Sequence, residues 1–205
     1  MKKEASLILD GDNVNINIED IVKSDSKRIL PLIEDYIKNK KIADIGCGTG
    51  FAGRFMSEWY DSIITMLDIE DNRNIKNKNF NFLKSTPEKI PLDNKSIDVC
   101  YIQYVLHHLT IDPVILLNEA YRISKSNLIL VEECNIDNKY SVSKFIDKDI
   151  EMNKILHPDS SYPIIRFFNN HELDDFIKNS NWIIEKQFTL NNQDYLPVNI
   201  YILKK

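Results

Sequence analysis

The segment D-I-G-C-G-T-G at 44–50 constrains this chain more than any other stretch. It sets Gly46, Gly48 and Gly50, three of only five glycines in 205 residues, at alternate positions. An apolar run, K-I-A-D-I at 41–45, precedes the loop, and a helical stretch at 51–60 follows it. Glycine lacks a Cβ, so it reaches φ > 0 and lets a ligand approach the backbone closely. The helix that follows begins with unpaired amides, which favour polar or anionic groups. Strand, glycine loop and helix in succession form a ligand-binding unit of an α/β protein. A tight turn that binds nothing is the weaker reading in a chain so poor in glycine.

Beyond the loop, short β-rich runs alternate with helical stretches, which predicts a parallel sheet with helical crossovers. Residues 19–39 read as a helix with Ile29, Leu32, Ile33, Tyr36 and Ile37 on one face, beginning or kinking at Pro31. Five strands are expected at 41–45, 62–67, 79–83, 96–102 and 127–132. Helices are expected from Asp112-Pro113 to about 124, over 141–156, and from a cap at Asn169 or Asn170 to about 179. The last runs, 182–190 and 195–203, flank N-N-Q-D and predict an antiparallel hairpin. We expect one domain over 1–205, with an N-terminal helical cap at 1–40 and a lid-like insert at 135–169. D-G-D-N at 10–13 lacks the later positions of a calcium loop and reads as a turn.

Charge and cysteine usage narrow the function. A net charge of −5 and a pI near 5.4 argue against a nucleic-acid partner. Cys47, Cys100 and Cys134 are scattered, with no C-x-x-C pair, so neither a disulfide framework nor a zinc site is expected. No apolar run approaches the ~18 residues of a membrane span, and the N-terminal apolar run is too short for a secretory signal. These features predict a cytoplasmic protein, monomeric or homodimeric.

Two ligands compete for the glycine loop. Gly48-Thr49-Gly50-Phe51-Ala52-Gly53 matches G-x-G-x-x-G, and Asp68 lies 20 residues after Gly48, where an acid can bind ribose hydroxyls; a nicotinamide oxidoreductase is therefore one reading. Against it, Asp44 ends the first strand and Gly46 already occupies the loop. D-x-G-x-G-x-G suits S-adenosylmethionine better, because a carboxylate there can meet the methionine ammonium.

Three further stretches then establish a resemblance: M-L-D-I-E-D at 66–71, K-S-T-P-E-K-I-P-L-D-N-K-S-I-D-V at 84–99 and Y-V-L-H-H-L-T-I-D-P at 104–113. In order with the glycine loop, they resemble the class I S-adenosylmethionine-dependent methyltransferases of the broad ubiquinone- and menaquinone-biosynthesis-like group. The resemblance covers about 44–133. It implies a doubly wound, mostly parallel seven-stranded sheet of order 3-2-1-4-5-7-6 with the last strand antiparallel. It also implies S-adenosylmethionine as cofactor, S-adenosylhomocysteine as product, and a small-molecule methyl acceptor. Carried over residue by residue, Asp44, Gly46, Cys47, Gly48 and Gly50 surround the methionine end. Asp68 takes the ribose hydroxyls, Ile69 packs on adenine, and Gln103 faces the cofactor. Thr86 stands where the group usually has an acid for the adenine amino group; Pro87 and Glu88 follow it. S-K-S-N at 124–127 replaces the group's usual K-P-G-G turn, with Asn127 able to take the left-handed conformation.

The resemblance also brings Tyr104, His107 and His108 near the transferred methyl group, which makes them the candidate catalytic residues. His107 or His108 could act as a base or position the acceptor. Adjacent histidines diverge by about 100° on a helix, and only Asp112 lies at helical spacing from them, so no metal is expected. The insert holds His157, Tyr162 and Arg166, the candidate acceptor contacts; Arg166 would suit a carboxylate or phosphate. A catalytically silent cofactor-binding or regulatory protein on the same fold is the remaining alternative.

Overall fold

A computed structural model describes residues 5–9, 12–75, 80–136, 139, 141, 143–156, 166–191 and 196–205. A seven-stranded sheet carries the architecture. Its strands are β3 (Lys41–Ile45), β4 (Ile63–Asp68), β5 (Asn81–Lys84), β6 (Ile97–Gln103), β7 (Ser124–Glu133), β8 (Ile183–Leu190) and β9 (Val198–Lys204). They lie in the order β5-β4-β3-β6-β7-β9-β8. The five strands from β5 to β7 are parallel, and β9 runs antiparallel to both β7 and β8. Counted from β3, this is 3-2-1-4-5-7-6, the expected order.

Alternation along the central strands builds two cores. Ala43, Cys100, Ile102, Leu128 and Leu130 face α4 (Pro113–Ile123) and α6 (Asn170–Asn179). Ile42, Val99, Tyr101, Ile129 and Val131 face α1 (Ile18–Ile29), α2 (Glu34–Ile37) and α3 (Phe51–Tyr60). A strand covered on both faces is apolar at nearly every position, which is why these runs look continuous rather than alternating. Caps set the helix starts. Asp112 accepts from the Val114 amide and Pro113 opens α4. Asn169 and Glu172 form a reciprocal capping box on α6.

Two local expectations change, and the break expected at Pro31 holds. Residues 5–9 and 12–16 form an antiparallel hairpin, β1 (Ala5–Leu9) with β2 (Asp12–Ile16), so the N-terminal cap is helical only from Ile18. At Pro31 the chain passes through a 3-10 turn, Leu30–Ile33, between α1 and α2. Residues 124–127 are no turn. Ser124 already pairs with Ile97, and its hydroxyl donates to the carbonyls of Asp98 and Asn127 across an irregular register.

Candidate functional site

The site lies at the C-terminal edge of the sheet, where open α/β proteins bind ligands. After β3 the chain turns through Gly46, Gly48 and Gly50 with φ of +73°, +49° and +79°. The Gly46 and Cys47 amides donate to the Leu67 carbonyl at 2.7 and 3.0 Å, tying the loop to β4. At Gly46 a Cβ would stand 2.4 Å from Cγ2 of Val105, so glycine is required there for space as well as conformation. Asp68, ending β4, accepts from the Gly48 amide at 2.8 Å and from the Ile69 amide at 2.7 Å. Burial raises its pKa, and those amides pull it back.

Asp44 is buried beneath this loop, and its Oδ2 has no hydrogen-bond partner. Burial, with the neighbouring charge of Asp68, pushes its pKa up to about 7. Gly53, on the first turn of α3, leaves the space that this carboxylate occupies: a Cβ there would stand 2.8 Å from Asp44 Oδ2. Burial pushes the Cys47 thiol up, which suits a packing residue rather than a nucleophile.

Beyond β6, Tyr104 takes φ +57° and its hydroxyl donates to Asp25 of α1 at 3.3 Å. A short 3-10 turn, Leu106–His108, follows. Glu132, near the end of β7 and 0% exposed, organises this turn. Its carboxylate accepts from the Leu106 amide at 2.8 Å and from its neighbour Glu133's amide at 3.1 Å, and Oε1 lies 2.6 Å from His107 Nδ1. Burial alone would lower the His107 pKa; the Glu132 charge and hydrogen bond override it and push it up to about 9. On the ring's other side, Nε2 is buried without a hydrogen-bond partner, 3.9 Å from Asp149 of α5 (Ser143–Leu156). The sequence reading did not weigh Glu132 or Asp149. The one available signal was an acid pair closing the apolar run L-I-L-V-E-E.

One cavity of about 870 Å³ joins these parts, near the upper end of the ~300–1,000 Å³ typical of small-molecule sites. The structure brings Asp44, Gly46, Cys47, Gly48, Asp68, Ile69, Thr86, Pro87, Glu88, Gln103, Tyr104, His107 and His108 to its wall. Gly50 is set back as the N-cap residue of α3. Ile69 is 43% exposed, an apolar side chain left uncovered on the cavity wall. Ser85, beside Thr86, is a polar wall residue the sequence did not flag. Asp25 and Arg28 from α1, and Asp149, Met152 and Asn153 from α5, cover the far end. Acidic groups dominate the cavity wall: Asp25, Asp44, Asp68, Glu88, Glu133 and Asp149 line it, with Arg28 and His107 among the basic groups.

Of the expected acceptor contacts, His157 and Tyr162 lie outside the described residues. Arg166 does not reach the large cavity. Glu172, held on α6 by its capping box, takes the guanidinium at 3.1 Å, and the rings of Phe168 and Phe176 stack against it. It borders a smaller cavity that shares Leu109, Thr110 and Ile111 with the large one.

The residues present fit S-adenosylmethionine. The unpaired Asp44 oxygen offers an acceptor at the loop, Asp68 stands at the end of β4 beside exposed Ile69, and the absent Cβ atoms open the cradle between them. Comparison with known proteins agrees. Residues 43–131 match the family model described as a methyltransferase domain. No curated protein sequence matches the chain. A SAM-dependent methyltransferase from Aquifex aeolicus is 15% identical with a TM-score of 0.63, over 92% of this chain and 99% of that one. One from Methanosarcina mazei is 17% identical with a TM-score of 0.64, over 85% and 97%. The geranyl diphosphate C-methyltransferase of Streptomyces coelicolor, solved with Mg²⁺, geranyl-S-thiolodiphosphate and S-adenosyl-L-homocysteine, is 9% identical with a TM-score of 0.65, over 89% and 75%.

Proposed function

We propose that this chain, whose residues 43–131 match the methyltransferase-domain model, is a class I S-adenosylmethionine-dependent methyltransferase, and that it methylates a small-molecule acceptor held under α1 and α5. The observation that supports this is the single cavity that runs from the glycine loop and Asp68 to Tyr104, His107 and His108. Bound S-adenosylmethionine supplies a methyl group on a sulfonium, a good leaving group. The chain's own residues therefore need only orient two molecules and exclude water, and no nucleophilic triad is required.

In this reading Asp44 faces the methionine ammonium, Asp68 takes the ribose hydroxyls, and Ile69 with Thr86, Pro87 and Glu88 borders the adenine. Tyr104, His107 and His108 position the acceptor. Asp149, Met152 and Asn153, within the insert expected to act as a lid, cover the acceptor end, whereas the charge of Arg166, expected to contact the acceptor, is already met by Glu172. Three buried cysteines, none of them in a disulfide, suit a reducing, cytoplasmic setting. No described helix is long and apolar enough to cross a membrane.

The test has two arms. Ligand at 100 times its Kd adds ~2.7 kcal/mol, which for a chain of this size shifts Tm by roughly 5–10 °C. S-adenosylmethionine and S-adenosylhomocysteine should give that shift; a shift with NAD alone refutes the cofactor. Acceptor-dependent release of S-adenosylhomocysteine from a pool of small metabolites separates an enzyme from a silent binding protein on this fold.

A further inference from the structure

We propose that His107, His108 and Asp149 form a binding site for one divalent transition-metal ion at the acceptor end of the cavity. One ligand atom from each of the three lies within 4.8 Å of the other two. The argument from helical spacing fails here for two reasons. The histidines sit in a tight 3-10 turn that brings their ring centroids to 4.0 Å, and the third group comes from a different element, α5.

The decisive feature is His107. Its Nε2 is buried, without a hydrogen-bond partner, and directed at Asp149. A buried imidazole nitrogen left unpaired is costly unless something binds it. Its other nitrogen rests on Glu132, whose remaining oxygen takes the Leu106 amide. A carboxylate behind a histidine fixes the ring's orientation and raises its basicity, as in metal sites generally. The same carboxylate holds the Leu106 and Glu133 amides, so the His107 ring is fixed to a rigid part of the turn.

Two imidazoles and one carboxylate suit Zn²⁺ and its neighbours in the first transition row better than Mg²⁺ or Ca²⁺, which prefer oxygen ligands. Three protein ligands leave a position open, and here it opens on the cavity. Bonds of about 2.1 Å set tetrahedral ligand atoms ~3.4 Å apart, so His108 and Asp149, both only partly buried, close on the ion by about 1 Å while His107 stays in place. A proton and the ion compete for Nε2. At the open position the ion would hold and polarise an oxygen of the acceptor, which points to a hydroxyl, enol or carboxylate compound. That consequence rests on the methyl-transfer reading; the binding of the ion does not.

The experiment uses the full chain without a histidine tag, stripped with EDTA and dialysed against Zn²⁺, with Co²⁺ absorption in parallel. One ion per chain and visible Co²⁺ bands are expected. Asp149→Ala and His108→Ala should each weaken Zn²⁺ binding about tenfold or more, and Glu132→Gln, which leaves the ligands in place, about 10- to 100-fold. Asp149 and His108 lie outside the two cores, so these variants test the site even where His107→Ala does not fold. Uptake below one ion per ten chains overturns the proposal, as does full uptake by the Asp149→Ala/His108→Ala double variant. S-adenosylhomocysteine affinity of the stripped protein is measured alongside. Its loss would refute the methyltransferase reading, whereas retained affinity without metal uptake would refute only the ion site.

Discussion

Replacing Glu132 with alanine tests how the loop that follows β6 is held. The carboxylate is fully buried and meets three donors: the Leu106 amide at 2.8 Å, the Glu133 amide at 3.1 Å and His107 Nδ1 at 2.6 Å. Hydrogen bonds to a charged group contribute about 1.5–3 kcal/mol each, but three on one carboxylate do not add. Removing one partner of a buried ion pair costs about 3–5 kcal/mol, because the other is left uncompensated. We take ~4 kcal/mol; at about 2–4 °C per kcal/mol for a chain of this size, Tm falls by roughly 8–16 °C. Glu132→Gln keeps the shape and one acceptor oxygen, so about half that loss is expected. The measurement is a thermal melt of the ligand-free protein in EDTA, followed by circular dichroism. Lys178→Ala, which removes an exposed pair with Asp175, serves as the control and should change stability by less than ~0.5 kcal/mol. A Glu132→Ala melt within 3 °C of the parent would mean that the carboxylate does not organise this loop.

Other outcomes follow from the same site. Asp68→Ala should weaken S-adenosylhomocysteine binding by calorimetry about 100-fold or more, since two charge-assisted bonds and the anchor of the Gly48 amide go together; unchanged affinity would misplace the ribose. The raised pKa of Asp44 means that the native state holds its proton more tightly than the unfolded chain. Its contribution to stability is therefore present below pH ~4 and is lost as pH rises through about 7, by up to ~4 kcal/mol. The melt of Asp44→Asn should gain on the parent between pH 5 and pH 8 without cofactor, and a constant difference would contradict the burial argument. Gly53→Ala should destabilise, although alanine favours helix by ~1 kcal/mol. Its Cβ meets Asp44 Oδ2 at 2.8 Å and both Ile64 and Met66 at 3.0 Å, an overpacking cost of about 1–3 kcal/mol. A higher Tm in Gly53→Ala would show that the pocket around Asp44 is slack.

The glycine loop was legible because its requirement is local. Gly46 and Gly50 sit at positive φ, and Asp68 follows at a distance set by one helix and one strand. The cofactor side of the cavity was thus readable from spacing within a single β-α-β unit. The acceptor side was not. Arg166 looked like a substrate contact because a lone guanidinium among aromatics is unusual, yet Glu172, six residues on, satisfies it. The hairpin at 5–16 was missed because its two runs are only five residues each, and D-G-D-N within it reads as a turn before a helix.

By itself, the sequence determined what local physics controls: strands that are apolar on both faces, helices begun by Asp112 and Asn169, the break at Pro31 and a loop that only glycine can make. Only the tertiary structure decided which charges meet. His107 stands between Glu132, 25 residues further on, and Asp149 on another helix, and no period of 2 or 3.6 residues connects them. That meeting depends on how the end of β7 packs beneath the loop after β6 and how α5 closes over both. Charges so placed act strongly because burial removes the water that would screen them, and burial belongs to the assembled fold.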